Sequence, residues 1–410
     1  VVFGYLFGYL VIALVLLPLY YRLKLTSIYT YLEQRFGYFS YKTGAGFFIL
    51  SRVLGASLRM FLVINVLQLF VFDAWNIPFW VNVLVFILLI ILYTLKGGIR
   101  TIVWTDTLQT TFMLLAVVLS VIYISREMGS PVFKLAGSVM KSPLSTMFIT
   151  DWHSERFFLK QFLSGMFITI VMTGLDQDQM QKNLTIKNLK DAQKNVVSYG
   201  LAFAPINLLF LSLGVLLLIY AQQNGIVLPE VSDNILPVIA SQHLGQAVLG
   251  IFITGIVAAA FSSADSALTA LTTSFCVDIL EMKKTENPDT ERKNITTRRR
   301  VHLFISIIFV LIILLIEAIG SDSIITAIYK LASYTYGPLL GLYFCGLYTR
   351  VKPIDKWVPY VAVAAPVICF VFETAMKQVF GYQVGYELLL VNAALTGTGL
   401  WILSLNNSQS

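Results

Sequence analysis

The chain has 410 residues, of which 57% are hydrophobic and 12% charged, and a formal net charge of +7. Soluble domains carry about 25% charged residues. The composition therefore excludes a water-soluble enzyme or binding module and implies an all-α integral membrane protein with several spans.

In chain order, apolar runs near or above bilayer length recur about eleven times. They cover approximately 1–21, 44–72, 78–95, 102–125, 162–174 (extended to 180), 197–221, 248–280, 301–320, 325–348, 358–376 and 386–405. The first run opens at Val1 with neither a Met nor a signal-peptide pattern, so the start of the protein is expected to lie upstream. The polar stretch 26–36 is too hydrophilic to cross and reads as a short helix on the membrane surface. Residues 127–160 form a long loop after the fourth run. Cys276, Cys345 and Cys369 lie in apolar stretches without a CxxC pair and read as core residues.

Lys and Arg segregate by loop. The segments 21–44, 96–100, 182–198, 283–300 and 349–356 hold 20 of the 29, the opposite side holds six, and Arg52, Arg59 and Lys330 lie within runs. The positive-inside rule then puts the Val1 end outside and 283–300 in the cytoplasm. The basic excess is topological, and nucleic acid is not a partner. The membrane is the plasma membrane, or the inner membrane of a bacterial cell.

Polar groups inside apolar runs carry the functional signal, because a charge at mid-bilayer costs about 2.5–3.5 kcal/mol on insertion scales. Asp106 stands in the fourth run, as a partner for a cation or as a helix-end carboxylate capped by nearby donors. In the seventh, Ala259, Ser262, Ser263 and Ser266 fall at i, i+3, i+4 and i+7, with Asp265 at the stripe's border. Hydroxyls and carbonyls suit a hard cation such as Na⁺, while a Ser-rich stripe also suits helix packing. Asp265 favours the cation, because packing needs no carboxylate. The fifth run ends in Thr173-Gly174 and the polar stretch 175–182, which fits either a broken helix or an ordinary exit. Arg59 is deep enough to need an anion or water; Arg52 and Lys330 read as snorkelling. No catalytic constellation appears, so the chain is not expected to be an enzyme.

Taken together, the motifs resemble the sodium:solute symporter family. They are 32–37 (LEQRFG), Gly97-Gly98 with Trp104-Thr105-Asp106 and Gln109, Asp176-Gln177 with Gln181-Lys182, Ala259 with Ser262 and Ser263, and 337–341 (GPLLG), in the family's order over about 1–350. The resemblance implies a LeuT-like fold of two inverted five-helix repeats, here lacking the first core helix. It implies residues 1–128 as the rest of the first repeat, 129–160 as an outer loop, 161–350 as the second repeat and 351–410 as two accessory helices with a short tail. It also implies import of a small organic solute coupled to Na⁺, with no other cofactor. Ala259 (by its carbonyl), Ser262 and Ser263 match the family's sodium ligands; Asp106, Asp265 and Ser266 match a second sodium or proton position. Sugar-transporting members carry a Tyr pair, a carboxylate and a Lys where this chain has Val171 and Met172, Val2 and Phe203. Arg59 aligns near the Arg with which sialic-acid members hold a carboxylate, so an organic anion such as sialic acid or a monocarboxylate is the expected solute, with Thr169 and Thr173 beside it. A transporter-like sensory or scaffold module is the alternative.

Overall fold

In the computed structural model, the described residues are 1–25, 27–94, 99–151, 154, 157–282, 287–320, 324–382 and 384–407; the side chains of 93, 99–106, 247, 325, 406 and 407 lie outside the description. Among these residues the chain is all helix and connection. Eight helices are long and apolar enough to cross a membrane, or nine if one sharply bent pair is a single span. The shorter apolar helices Phe79–Leu92 and Gly337–Tyr348 lie within two further predicted runs.

The first span, α1 (Val2–Leu23), carries a wide π-turn at Ile12–Leu16. Pro18 has no N–H for the turn behind it. The carbonyl of Ala13 is taken instead by Gln193 Nε2, at 2.8 Å. The polar stretch forms α2 (Thr30–Arg35), but it does not lie free on a surface. Ile28, Tyr29 and Leu32 are fully buried. Arg35 donates to the carbonyls of Gly346 and Thr349, capping the end of a later helix. The run 26–36 was too short and polar to cross, yet its apolar face packs into the protein end.

Next come α3 (Tyr38–Trp75), α4 (Phe79–Thr94), α5 (Ile99–Glu127) and the short helix α6 (Val132–Lys141). α7 (Phe158–Gly174) and α8 (Gln177–Leu184) are the bent pair, meeting at 66°. α9 (Leu189–Gln223) and α10 (Ile235–Gln242) precede the serine-rich α11 (Gly245–Ser274), which continues as a π-turn to Ile279. α12 (Pro288–Ile319) starts well before the predicted run. Asn287 caps it through Oδ1 to the N–H of Asp289, so much of the basic stretch 283–300 extends the helix. α13 (Ile324–Thr335), α14 (Gly337–Tyr348), α15 (Val358–Phe380) and α16 (Leu388–Asn407) complete the chain.

Close approaches depend on small residues. A Cβ on Gly4 would lie 2.1 Å from the Phe162 carbonyl oxygen, and one on Gly8 2.6 Å from Thr169 Cβ, so α1 and α7 meet through a G-x-x-x-G face. The 337–341 motif works the same way. Cβ atoms on Gly337 and Gly341 would collide with Asn392 and Thr396 of α16.

The core has two apolar clusters. One joins the later part of α3 to α4, α5, α9, α11 and α12; the other joins α1, α2, the start of α3, α7, α13 and α14. α3 belongs to both. His302 bridges Thr94 and Thr272 at 2.9 and 3.2 Å, tying α4, α11 and α12. Among the described residues no group of three or more His, Cys, Asp or Glu could hold a metal ion.

Candidate functional site

The site begins at the break between α7 and α8. A helix that stops inside a membrane strands carbonyls that water cannot reach. Here tyrosines meet them: Tyr20 donates to Gly174 O and Tyr29 to Leu175 O, both at 2.9 Å. Asp176 then restarts the chain. Its Oδ1 accepts the N–H of Asp178 (3.0 Å) and of Gln179 (3.2 Å), an N-cap for α8. Of the two readings open for the stretch 173–182, the structure has the broken helix.

The same two carboxylates meet Arg52 of α3. Arg52 Nη2 donates to Asp178 Oδ2 at 2.6 Å, and Nη1 lies 3.4 Å from Asp176 Oδ2. Tyr336, between α13 and α14, also donates to Asp176 Oδ2, at 3.3 Å. All four side chains are buried. Arg52 therefore does not snorkel, because two carboxylates 124 and 126 residues away neutralise it inside the protein. Lys330 keeps its side chain 56% exposed, and its Nζ lies 2.6 Å from Glu373 Oε1 of α15.

Beside this pair lies a cavity of about 580 Å³. Arg59, Thr173, Met172 and Tyr9 line it, as do Ser262, Ser263 and Ser266 of α11 with Gln109 and Thr110 of α5. Lys182, Asn183, Asn195 and Tyr199 extend the lining toward the 182–198 connection. The structure thus brings together Arg59, Thr173 and the three serines. Ala259 is partly buried one turn before Ser262 on α11. Asp265 is buried beneath the serines and accepts from Thr269 at 3.3 Å. Thr169 sits one turn from Thr173, donates to Gly165 O and packs against Gly8, outside the lining. The side chain of Asp106 lies outside the described residues.

Arg59 and Arg52 lie two helical turns apart on α3. The Nε atoms of both are buried and have no hydrogen-bond partner among the described residues. For Arg52 two carboxylates compensate. For Arg59 there is no ion pair among the described residues, and it lines the cavity. Among the described charged residues of the lining, Arg52, Arg59 and Lys182 stand against Asp178. With Asp176 behind Asp178 and Asp265 beneath the serines, the three cations meet three carboxylates, so what favours an anion is the local placement of Arg59, which no described carboxylate pairs.

Sequence reasoning passed over Lys182 as a site residue, though its Nζ donates to Ser266 Oγ at 2.7 Å. It also passed over Asp278 in the π-turn, which accepts from Tyr41 at 2.9 Å and from Ser274. Lys182 was visible as the last position of a quoted motif. Asp278 falls near the end of the apolar run 248–280 in no motif, and only the fold brings Tyr41 to it.

The model of the sodium:solute symporter family matches residues 1–351. The Sodium/sialic acid symporter NanT of Aliivibrio fischeri is 24% identical over 400 residues, covering 96% of this chain and 77% of its own. The Sodium/sialic acid symporter SiaT of Proteus mirabilis is 27% identical over 353 residues, covering 82% and 67%. A solved Na⁺-coupled sialic acid symporter, substrate-bound and outward-open, superposes with a TM-score of 0.80 at 20% identity, covering 99% of this chain and 83% of that one. The fold is LeuT-like, as the motifs implied.

Proposed function

The chain belongs to the sodium:solute symporter family and is a Na⁺-coupled membrane symporter of a small organic solute, not an enzyme; on that premise we propose that its solute is a carboxylate of the sialic acid class. The observation that carries the reading is Arg59, which lines the cavity with no ion-pair partner among the described residues. A carboxylate accepts two parallel N–H bonds from a guanidinium, and in a low-dielectric cavity that pairing is both strong and directional. The named relatives that transport sialic acid support the choice of acid. Val171 and Met172 stand where sugar carriers use tyrosines, and Met172 adds an apolar wall.

Sodium binds, in this reading, at the Ala259 carbonyl with the Ser262 and Ser263 hydroxyls; Asp106, Asp265 and Ser266 form a second cation position. Hard oxygen donors on a rigid helix fit Na⁺ without any other cofactor. Thr173, next to the α7–α8 break, contacts the solute, and Thr169 supports it from one turn away. The break is the flexible point about which the cavity closes to one side and opens to the other. The Lys/Arg bias places the Val1 end outside and the basic 283–300 stretch in the cytoplasm. Inward transport then runs down the sodium gradient and the membrane potential, the latter contributing about 2.3 kcal/mol per charge per 100 mV.

The test is uptake of labelled sialic acid into proteoliposomes carrying an inward Na⁺ gradient. Arg59→Ala abolishes uptake, and Arg59→Lys leaves a weak remnant because a lysine supplies charge without the two-pronged geometry. Uptake by Arg59→Ala with an unchanged KM would remove Arg59 from the solute site.

A further inference from the structure

Lys182 occupies a place that a sodium ion would want. It lies on α8, one turn beyond Asp178, and lines the cavity together with Ser262, Ser263 and Ser266. At i,i+4 on one helix, a lysine commonly settles on its aspartate. Here Asp178 Oδ2 is 3.9 Å away and already holds Arg52 Nη2 at 2.6 Å. The shorter contact crosses to another helix, where Lys182 Nζ donates to Ser266 Oγ at 2.7 Å. The lysine side chain is 43% exposed, so it has room to leave that hydroxyl.

An ammonium group and Na⁺ make the same demand on a hydroxyl, namely an oxygen lone pair facing a positive charge. With Ser266 Oγ at hydrogen-bond distance from one cation, a second cannot take the same position without close charge repulsion. We propose that Lys182 is a tethered competitor of sodium: its ammonium holds Ser266 in this conformation, and Na⁺ arriving there displaces it toward Asp178. The inference rests on the second-cation reading of Ser266 given above. The exchange leaves Ser266 facing one positive charge before and after, and the released lysine moves toward Asp178 Oδ2, which it then shares with Arg52. It also has a mechanical consequence. The Lys182–Ser266 bond ties α8, the half of the broken span beyond the bend, to α11, so sodium loading cuts a tie across the cavity.

The experiment is a sodium titration of the purified full chain at constant ionic strength, with K⁺ replaced by Na⁺ and, as readout, the sodium midpoint, meaning the apparent Kd fitted to the logarithmic rise in thermal stability. Lys182→Gln removes the competitor, and its midpoint falls about tenfold, as for a site that was free only a tenth of the time. Lys182→Arg keeps a cation on the tether and keeps the midpoint at or above that of the unaltered protein. A midpoint unchanged or raised in Lys182→Gln, or lowered equally in Lys182→Arg, overturns the competitor while leaving sodium-coupled symport in place. An unaltered protein with no sodium response overturns the sodium-site reading and the competitor together. The midpoint is independent of absolute stability, and Lys182→Met, which keeps the stem, supplies the same comparison if the glutamine variant fails to fold.

Discussion

Arg52, Arg59 and Lys182 face one cavity, and their surroundings assign them different work. Arg52 is neutralised by Asp176 and Asp178 and joins α3 to the start of α8. Arg52→Ala strands two buried carboxylates, which costs about 3–5 kcal/mol. A marked drop in thermal stability and abundance is expected, and thermal unfolding in detergent measures it; an unchanged melting temperature would show that the pair holds nothing together. Ser263→Ala acts differently. It removes one oxygen from the proposed sodium set, about 1–2 kcal/mol, while leaving packing intact. The sodium concentration for half-maximal uptake should rise about tenfold at normal expression, and uptake kinetics at varied Na⁺ check it. Arg59 and the serines were legible in the sequence because charge and hydroxyl stripes are conspicuous in an apolar run. The pairing of Arg52 was not, because its partners lie more than a hundred residues away and only the fold brings them near. Lys182 was read as part of a motif, but its contact with Ser266 depends on how α8 leaves the break.

At the scale of elements, the α7–α8 break organises the site. Gly174 followed by the polar run marked it in the sequence, and the structure adds the reason it is stable. Tyr20 and Tyr29 supply donors to the freed carbonyls, and Asp176 supplies acceptors to the freed N–H groups. Sequence could not reveal those tyrosine partners, since hydrogen bonds to backbone carbonyls leave no periodic trace. The glycine motifs gain a mechanical meaning in the same way. Gly8 lets α1 lie against Thr169, and Gly341 lets α14 lie against Ala393 and Thr396. Gly8→Val and Gly341→Val force the helices apart, at about 1–3 kcal/mol each or more. Lower melting temperatures with unshifted sodium midpoints in the surviving protein are the expected outcome; a sodium midpoint moved as far as in Ser263→Ala would mean that these contacts reach the cation site. The short helix α2 shows the limit of composition. Its polarity ruled out a span, but its burial followed from Arg35 and Ile28 engaging α14, a tertiary fact.

For the molecule as a whole, two apolar clusters share α3, and the cavity lies beside the strip where that helix carries its two arginines. The run pattern predicted most spans because bilayer thickness sets their length. It misplaced ends such as that of α12, which continues as a capped helix beyond the apolar segment. The loop charge bias makes a prediction of its own. A cysteine placed at Asn195, on the part of the lining near the 182–198 connection, should be labelled by an impermeant thiol reagent from the cytoplasmic side. Labelling only from outside, in oriented vesicles, would invert the topology. The central claim is that solute and sodium bind one cavity together, and its most direct test is ligand-induced stabilisation of the full-length purified protein. Sialic acid, monocarboxylates, amino acids and sugars are each added in Na⁺ and in K⁺, and melting temperatures compared. The account predicts a rise with sialic acid or a related carboxylate that requires Na⁺. Equal rises in Na⁺ and K⁺, or none with any carboxylate while a neutral solute stabilises, would contradict it.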